Sequence, residues 1–276
     1  MPTPSTSSAA PTLTDASLRV EDRYAVLTFE RDDVRNALTG TALVDDICAA
    51  IEWANHSDLN CLIITGAGKG FSSGGNIKEM ADKQGMFGGS PMQITDSYRR
   101  GIQRMSRAVF HAELPLIAAV NGAAVGAGFD LACMCDIRIG CENSLFGETF
   151  INLGIIPGDG GAWFLQRLVG YQRAAELTFS GRLVKAQEAK ELGLLLELVD
   201  SSELLDAAEK LAQSFAAQPP QALRASKRLM KIAQRQELND FLDHCASVQA
   251  ACHYSEDHTR ALNAFINKES ASYSGQ

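Results

Sequence analysis

The chain has 276 residues, 46% apolar and 21% charged, and its 33 acids against 25 Lys and Arg give a net charge of −8. Apolar content at that level fills a sizeable core, which excludes a disordered or collagen-like chain. The acidic balance argues against a protein whose main task is coating nucleic acid or an anionic membrane, so neither is expected as a partner.

The first seventeen residues, rich in Pro, Ser, Thr and Ala, read as a disordered tail (1–17). They lack the basic and apolar regions of a secretory signal. Seven cysteines, an odd number, lie mostly in apolar runs where a thiol acts as a small hydrophobe. Cys133 and Cys135 are one residue too close for the usual zinc or redox pair. The cytoplasm is the expected compartment.

Residues 18–30 alternate apolar and polar positions, as a half-buried strand or hairpin does. Residues 39–53 space Leu43, Ile47, Ala50 and Ile51 for a helix, with Thr39 or Thr41 as its N-cap. Cys61-Leu-Ile-Ile-Thr65 is a short all-apolar run, the pattern of a strand buried on both faces of a parallel sheet. It leads into Gly66-Ala-Gly-Lys-Gly70. About fifty residues on, Leu116-Ile-Ala-Ala-Val120 leads in the same way into a second glycine cluster. Residues 114–129 are weakly charged, but Pro115, Asn121 and the glycines interrupt them before a membrane span is complete. After Gly181 come a short amphipathic helix (184–192), an apolar strand (194–199) and an almost wholly helical stretch (201–265) broken at Pro219-Pro220. The expected organisation is an α/β core over 18–200 and a C-terminal helical region over 201–276.

Neither glycine cluster fits a nucleotide loop. Lys69 is followed by Gly rather than a hydroxyl residue, and Gly122, Gly126 and Gly128 have the wrong spacing for a dinucleotide turn. A glycine turn before a helix also exposes unsatisfied N–H groups, and two such turns facing each other make an oxyanion hole. The same glycines suit plain strand–helix packing, and spacing alone does not choose between the two.

Phe71-Ser-Ser-Gly-Gly-Asn-Ile-Lys-Glu-Met80 followed by Ala119-Val-Asn-Gly-Ala-Ala-Val-Gly-Ala-Gly-Phe-Asp-Leu131 resembles the crotonase (enoyl-CoA hydratase/isomerase) superfamily. Gly154-Ile-Ile-Pro-Gly-Asp-Gly-Gly161 and Ala186-Gln-Glu-Ala-Lys-Glu-Leu-Gly193 continue the likeness, which runs over residues 18–265. It implies a spiral of ββα units with a C-terminal helical trimerisation region, assembled as a trimer or a dimer of trimers. It also implies an acyl-CoA thioester substrate, no metal or redox cofactor, and an oxyanion hole formed by the backbone N–H groups of Gly75 and Ala127.

The carboxylates depart from the hydratase pattern. Of that pattern's two Glu positions, one holds Asp130 and the other Phe150, which cannot transfer a proton. The arrangement around Asp130 is similar to dienoyl-CoA isomerases, although those carry a Glu at the position of Phe150 and an Asp at that of Gly158. Glu148, two residues before Phe150 and on the same face if the segment is a strand, and Asp159, in the following turn, are the candidate substitutes. Asp159 also suits the N-cap of a helix over 162–169. Loss of the second Glu favours double-bond isomerisation or an unusual hydration, since hydration commonly uses a carboxylate pair. A non-catalytic acyl-CoA-binding protein is the alternative.

Coenzyme A brings phosphates. Residues 221–236 carry Arg224, Lys227, Arg228, Lys231 and Arg235 and no acid, along one helical stripe. A phosphate contact is expected from Lys227, and CoA contacts from Arg35, Ser73, Gly74, Asn76 and Ile77 at the first turn. The same stripe also suits a solvated helix face. Phe150 and Trp163 are the expected acyl-pocket residues, with Met86 and Phe87 nearby.

Overall fold

The computed structural model describes residues 9–276. A hairpin of β1 (Ala16–Val20) and β2 (Tyr24–Phe29) opens the fold, and α1 (Leu43–Asn55) leads to β3 (Cys61–Gly66), parallel to β2. The short β4 (Gly70–Ser72) follows, then an excursion of α2 (Ile77–Ala81), α3 (Pro91–Arg100) and α4 (Ile102–His111). The next turn of chain repeats the plan with β5 (Leu116–Val120), β6 (Ala123–Val125) and α5 (Ala127–Met134). A third gives β7 (Ile137–Cys141), β8 (Leu145–Gly147), α6 (Gly161–Val169) and α7 (Tyr171–Ser180). Then come β9 (Leu183–Lys185), α8 (Ala186–Glu191), β10 (Glu197–Val199) and helices α9 (Leu204–Ala216), α10 (Pro220–Ala233), α11 (Leu238–His253) and α12 (Glu256–Asn267).

Each ββα unit contributes one strand to a long sheet, ordered β1-β2-β3-β5-β7-β10, and one to a short sheet, ordered β4-β6-β8-β9. This is the expected spiral. The apolar runs are continuous because the long sheet is covered on both sides. Val26, Ile63, Ile117 and Ile139 face Leu204, Ala208 and Ala212 of α9, while Leu27, Leu62, Ile64 and Ala118 point into the larger cluster with Phe29, Phe71 and Phe129. Fully burying each large side chain of this kind is worth about 1.5–3 kcal/mol. Among the described residues no helix is long and apolar enough to cross a membrane.

Three expectations differ from the structure. The tail was expected to run to residue 17; residues 1–8 lie outside the described residues, but Leu13 packs on the core and β1 begins at Ala16. The cause is Asp46 on α1, whose carboxylate accepts from Thr14 N (3.0 Å) and Asp15 N (2.7 Å), while Asp15 in turn accepts from Ala42 N (2.6 Å) at the start of that helix. The helix begins at Leu43 after Ala42, one residue later than a Thr41 cap would place it, although Thr41 Oγ1 accepts from Leu43 N (3.3 Å). Finally, α9 is a layer of the core, so the helices that stand apart begin at Pro220 rather than at residue 201.

Candidate active site

The two glycine turns meet. Gly74 has φ +75°, a conformation that favours glycine, and a β-carbon there would lie 2.7 Å from Ala127 N. Gly74 is held by Leu38 N, which donates to its carbonyl (2.7 Å), and by Ser72 Oγ, which accepts from its N–H (3.1 Å). On the other side Gly126 has φ 52° and ψ −128°, its N–H donates to Gly147 O, and its carbonyl accepts from Phe129 N and Asp130 N. α5 therefore starts with Ala127 N–H at its open end. Neither Gly75 N nor Ala127 N has an acceptor among the described residues. Two free donors stand at a helix N-terminus, where the dipole favours a negative oxygen.

Three acids gather beside α5. Asp130 (0% exposed), Glu148 (1%) and Asp159 (4%) are all buried. Asp130 lies on α5, which is buried on every side. Its Oδ2 accepts from Gly161 N (3.0 Å) at the first turn of α6, so Asp130 serves the helix for which Asp159 was the expected cap. Asp159 is thereby left with both oxygens unpaired. Its backbone is fixed from α4, where Ser106 Oγ donates to Asp159 O (2.6 Å) and Gln103 Nε2 to Gly158 O (2.9 Å). Glu148 follows β8 at the point where the chain leaves the strand for a short 3-10 helix, Thr149–Leu153. The strand geometry expected for Glu148 and Phe150 does not hold, because the strand ends at Gly147.

Five buried oxygens, Asp130 Oδ1 and both oxygens of Glu148 and Asp159, have no donor among the described residues. The carboxyls of Glu148 and Asp159 lie close enough to Asp130 for their charges to act on it. Burial, then the charges of Asp159 and Glu148, raise Asp130 well above the usual carboxylate range. Burial raises Asp159 and pushes Glu148 up to about 7. A buried acid whose pKa is pushed toward neutrality, as that of Glu148 is, suits proton transfer.

The first-turn residues expected to contact CoA do come together. Ser73 N donates to Arg35 O (2.9 Å), Arg35 has φ 56°, and Ile77, at the start of α2, is 61% exposed. The Asn76 side chain is occupied: it accepts from Lys78 N and Glu79 N as the N-cap of α2. Lys227 is a correction. It is 8% exposed, bonded to Asp136 Oδ2 and to Leu114 O (both 2.6 Å), and so is spent on the protein. The rest of the basic stripe divides. Arg224 donates to the carbonyls of Asn55, Ser57 and Leu59, and Lys231 to that of Phe110, where burial lowers its pKa to about 8. All five basic residues, with His111 and His244, line a cavity of about 800 Å³, and of the five Arg228 and Arg235 are exposed.

Phe150 packs on the core with its ring 3.8 Å from the position a β-carbon of Gly126 would take. Trp163 is 39% exposed and meets Phe110 and Phe164 edge to face, with Arg167 above its ring. Tyr98 of α3 was not anticipated. It packs against Gly158 from a largely polar helix that gives no sequence signal of a site.

A family model described as enoyl-CoA hydratase/isomerase matches residues 20–276. The chain belongs to that family. It is 35% identical over 261 residues to a short-chain-enoyl-CoA hydratase of Clostridium acetobutylicum, covering 93% of this chain and 96% of that one. It is 33% identical over 259 residues to a 1,2-epoxyphenylacetyl-CoA isomerase of Escherichia coli, covering 93% and 97%. Among solved structures, that of a putative enoyl-CoA hydratase from Streptomyces coelicolor superposes with a TM-score of 0.90 at 30% identity, over 99% of this chain and 100% of that chain. Within the enoyl-CoA hydratase/isomerase family, then, this chain combines two facing glycine turns with a three-carboxyl cluster.

Proposed function

We propose that the protein is an enoyl-CoA hydratase/isomerase that moves a proton on an unsaturated acyl-CoA thioester, with double-bond isomerisation as its principal reaction. The observation that carries this reading is the buried trio Asp130, Glu148 and Asp159, with five donorless oxygens, beside the free N–H groups of Gly75 and Ala127. The thioester carbonyl accepts from the two N–H groups. A carboxylate takes a proton from carbon 2 of a 3-enoyl thioester, and the electron pair delocalises into the carbonyl as an enolate that the two donors stabilise. The same acid returns the proton to carbon 4 as the double bond settles between carbons 2 and 3. Asp130, tied to Gly161 N, holds the pair in place, and Glu148 or Asp159 carries the proton.

Incubation with 3-enoyl-CoA and 2-enoyl-CoA thioesters in deuterated water tests this. Conversion of the 3-enoyl to the 2-enoyl isomer, with exchange at carbons 2 and 4, is expected. Binding of both thioesters with neither conversion nor exchange would sink the reading in favour of a binding protein, and hydration without isomerisation would reassign the reaction.

Self-association is part of the proposal. α11 has no buried residue, and Leu238 and Leu242 on it, Leu262, Phe265 and Ile266 on α12 and Tyr254 between the two are exposed. Such a surface supports a trimer or a dimer of trimers, measurable by light scattering after size exclusion. Seven free thiols support a reducing compartment, the cytoplasm.

A further inference from the structure

The positive charges of α10 meet in the cavity of about 800 Å³ that the helix shares with the end of α4 and with α11, and they are not balanced there. Glu113 is the one carboxylate lining that cavity among the described residues. It pairs with Arg224 (3.2 Å), and Asp136 pairs with Lys227 (2.6 Å). Arg228, Lys231 and Arg235 are left without a carboxylate. Lys231 donates to the neutral carbonyl of Phe110 and lies 4.9 Å from the centre of that ring. The guanidinium groups of Arg228 and Arg235 have no acceptor among the described residues. The excess charge acts on Lys231, whose pKa is lowered to about 8 by burial and then by the charge of Lys227.

The three unbalanced cations have a shape. Positions 228, 231 and 235 follow helical spacing on one face, so their row runs for about 10 Å along the axis. A single carboxylate or phosphate meets neighbouring members of such a row, whereas a chain of phosphates can lie along all of it. The guanidinium fork pairs bidentately with phosphate oxygens, and an ammonium offers the same group a point charge. Phe110, Leu229, Ile232 and Val248 give the cavity an apolar wall, and its volume is that of a site for a ligand as large as a nucleotide.

This cavity is not where the glycine turns are. Arg224 holds the carbonyls of Ser57 and Leu59 ahead of β3, and Lys227 holds Leu114 O ahead of β5 and Asp136 ahead of β7. α10 therefore crosses the N-terminal ends of these parallel strands, while the turns at Gly74 and Gly126 lie beyond the C-terminal ends of β3 and β5. The length of the strands, about 15–20 Å, separates the two.

We propose that the cavity between α10, α11 and the end of α4 is a second ligand site that takes a linear polyphosphate, free or carried on a nucleotide, with Arg228, Lys231 and Arg235 along its phosphates. The site stands apart from the reaction, whatever thioester the protein acts on.

Calorimetric titration of the full chain with inorganic triphosphate and with ATP, each in the presence of acetyl-CoA, tests this. One molecule per chain should bind, less tightly as salt is raised. Arg228→Gln combined with Arg235→Gln should weaken binding by about 10²-fold, about tenfold for each charged hydrogen-bonding group. Affinity of the double variant for acetyl-CoA should match the wild type. Either source supports the site: tighter binding of ATP than of triphosphate assigns it to nucleotides, and equal or weaker binding to free polyphosphate. The proposal is overturned if neither probe binds, if the double variant binds both as well as the wild type does, or if acetyl-CoA displaces them. A loss of acetyl-CoA affinity in the double variant also overturns it, because the cavity would then serve the phosphates of the thioester itself.

Discussion

Asp130 Oδ2 accepts a hydrogen bond from Gly161 N at 3.0 Å, joining the buried helix α5 to the first turn of α6. The bond gives Asp130 one fixed oxygen and leaves the other facing Glu148 and Asp159. The acid that holds the site together is therefore also a helix cap, and roles can be separated by substitution. Asn at 130 still accepts from Gly161 N but cannot exchange a proton. Of Glu148→Gln and Asp159→Asn, the one that removes the proton carrier should lower kcat by about 10²- to 10⁴-fold, the usual worth of a general acid or base, and the other by less. Asp130→Asn combined with Glu148→Gln should abolish turnover while calorimetric affinity for a CoA thioester is retained. Wild-type rates in that double variant would remove these residues from the reaction.

Glu148 makes the fold sensitive to pH in a defined direction. In the unfolded chain its carboxyl ionises near its ordinary 4.5, whereas in the folded chain it keeps its proton until about 7. Between those values the folded state binds more protons, so stability falls as pH rises through the window and levels off above it. The gap corresponds to roughly 3 kcal/mol. Glu148→Gln carries no such titration. Its stability relative to wild type should therefore rise from pH 4.5 to 7, as read from urea midpoints across that range, and a constant difference would contradict the burial of a protonated Glu148.

Gly74→Ala strains a position at φ +75° and drives a methyl group to 2.7 Å from Ala127 N. Backbone strain costs about 1–2 kcal/mol. Displacement of one oxyanion donor should cost about 10²-fold or more in kcat. Steady-state kinetics together with a thermal melt distinguish this from unfolding: a melt lowered by only a few degrees must accompany the kinetic loss.

Lys227→Met should act on the fold and not on the ligand. It removes the ammonium from Leu114 O and from Asp136, a partly exposed carboxylate that still accepts from Leu116 N, at a cost of about 1 kcal/mol in chemical denaturation. KM for CoA thioesters should stay at the wild-type value, and a large rise in KM would restore Lys227 as a phosphate contact.

Much of this was legible in the residues themselves. Runs such as Cys61-Leu-Ile-Ile-Thr65 announce a sheet covered on both faces, because only there does alternation vanish. The glycines at 74 and 126 announce turns of unusual dihedral angles, and both are found there. What stayed hidden depends on contacts distant in sequence. Asp159 reads as a candidate acid or a helix cap, and the choice stays open until Asp130, 29 positions earlier, is seen to hold Gly161 N. The basic stripe reads as solvated or ligand-binding until the carbonyls at 55, 57, 59, 110 and 114 are brought against it. The order of residues 13–17 depends on Asp46, about thirty positions away.

Those carbonyls say something about the mechanics of the chain. α10 is fastened to the body by Arg224, Lys227 and Lys231 gripping peptide oxygens, with only Pro220, Lys227 and Ile232 of the helix buried. A seam made of ionic groups on backbone carbonyls is one that urea and guanidinium, which solvate peptide groups, enter readily. The doubly covered sheet has no such seam. The last three helices should therefore peel away at denaturant concentrations that leave the sheet intact, so that the chain comes apart first at its polar joint and only later at its hydrophobic centre.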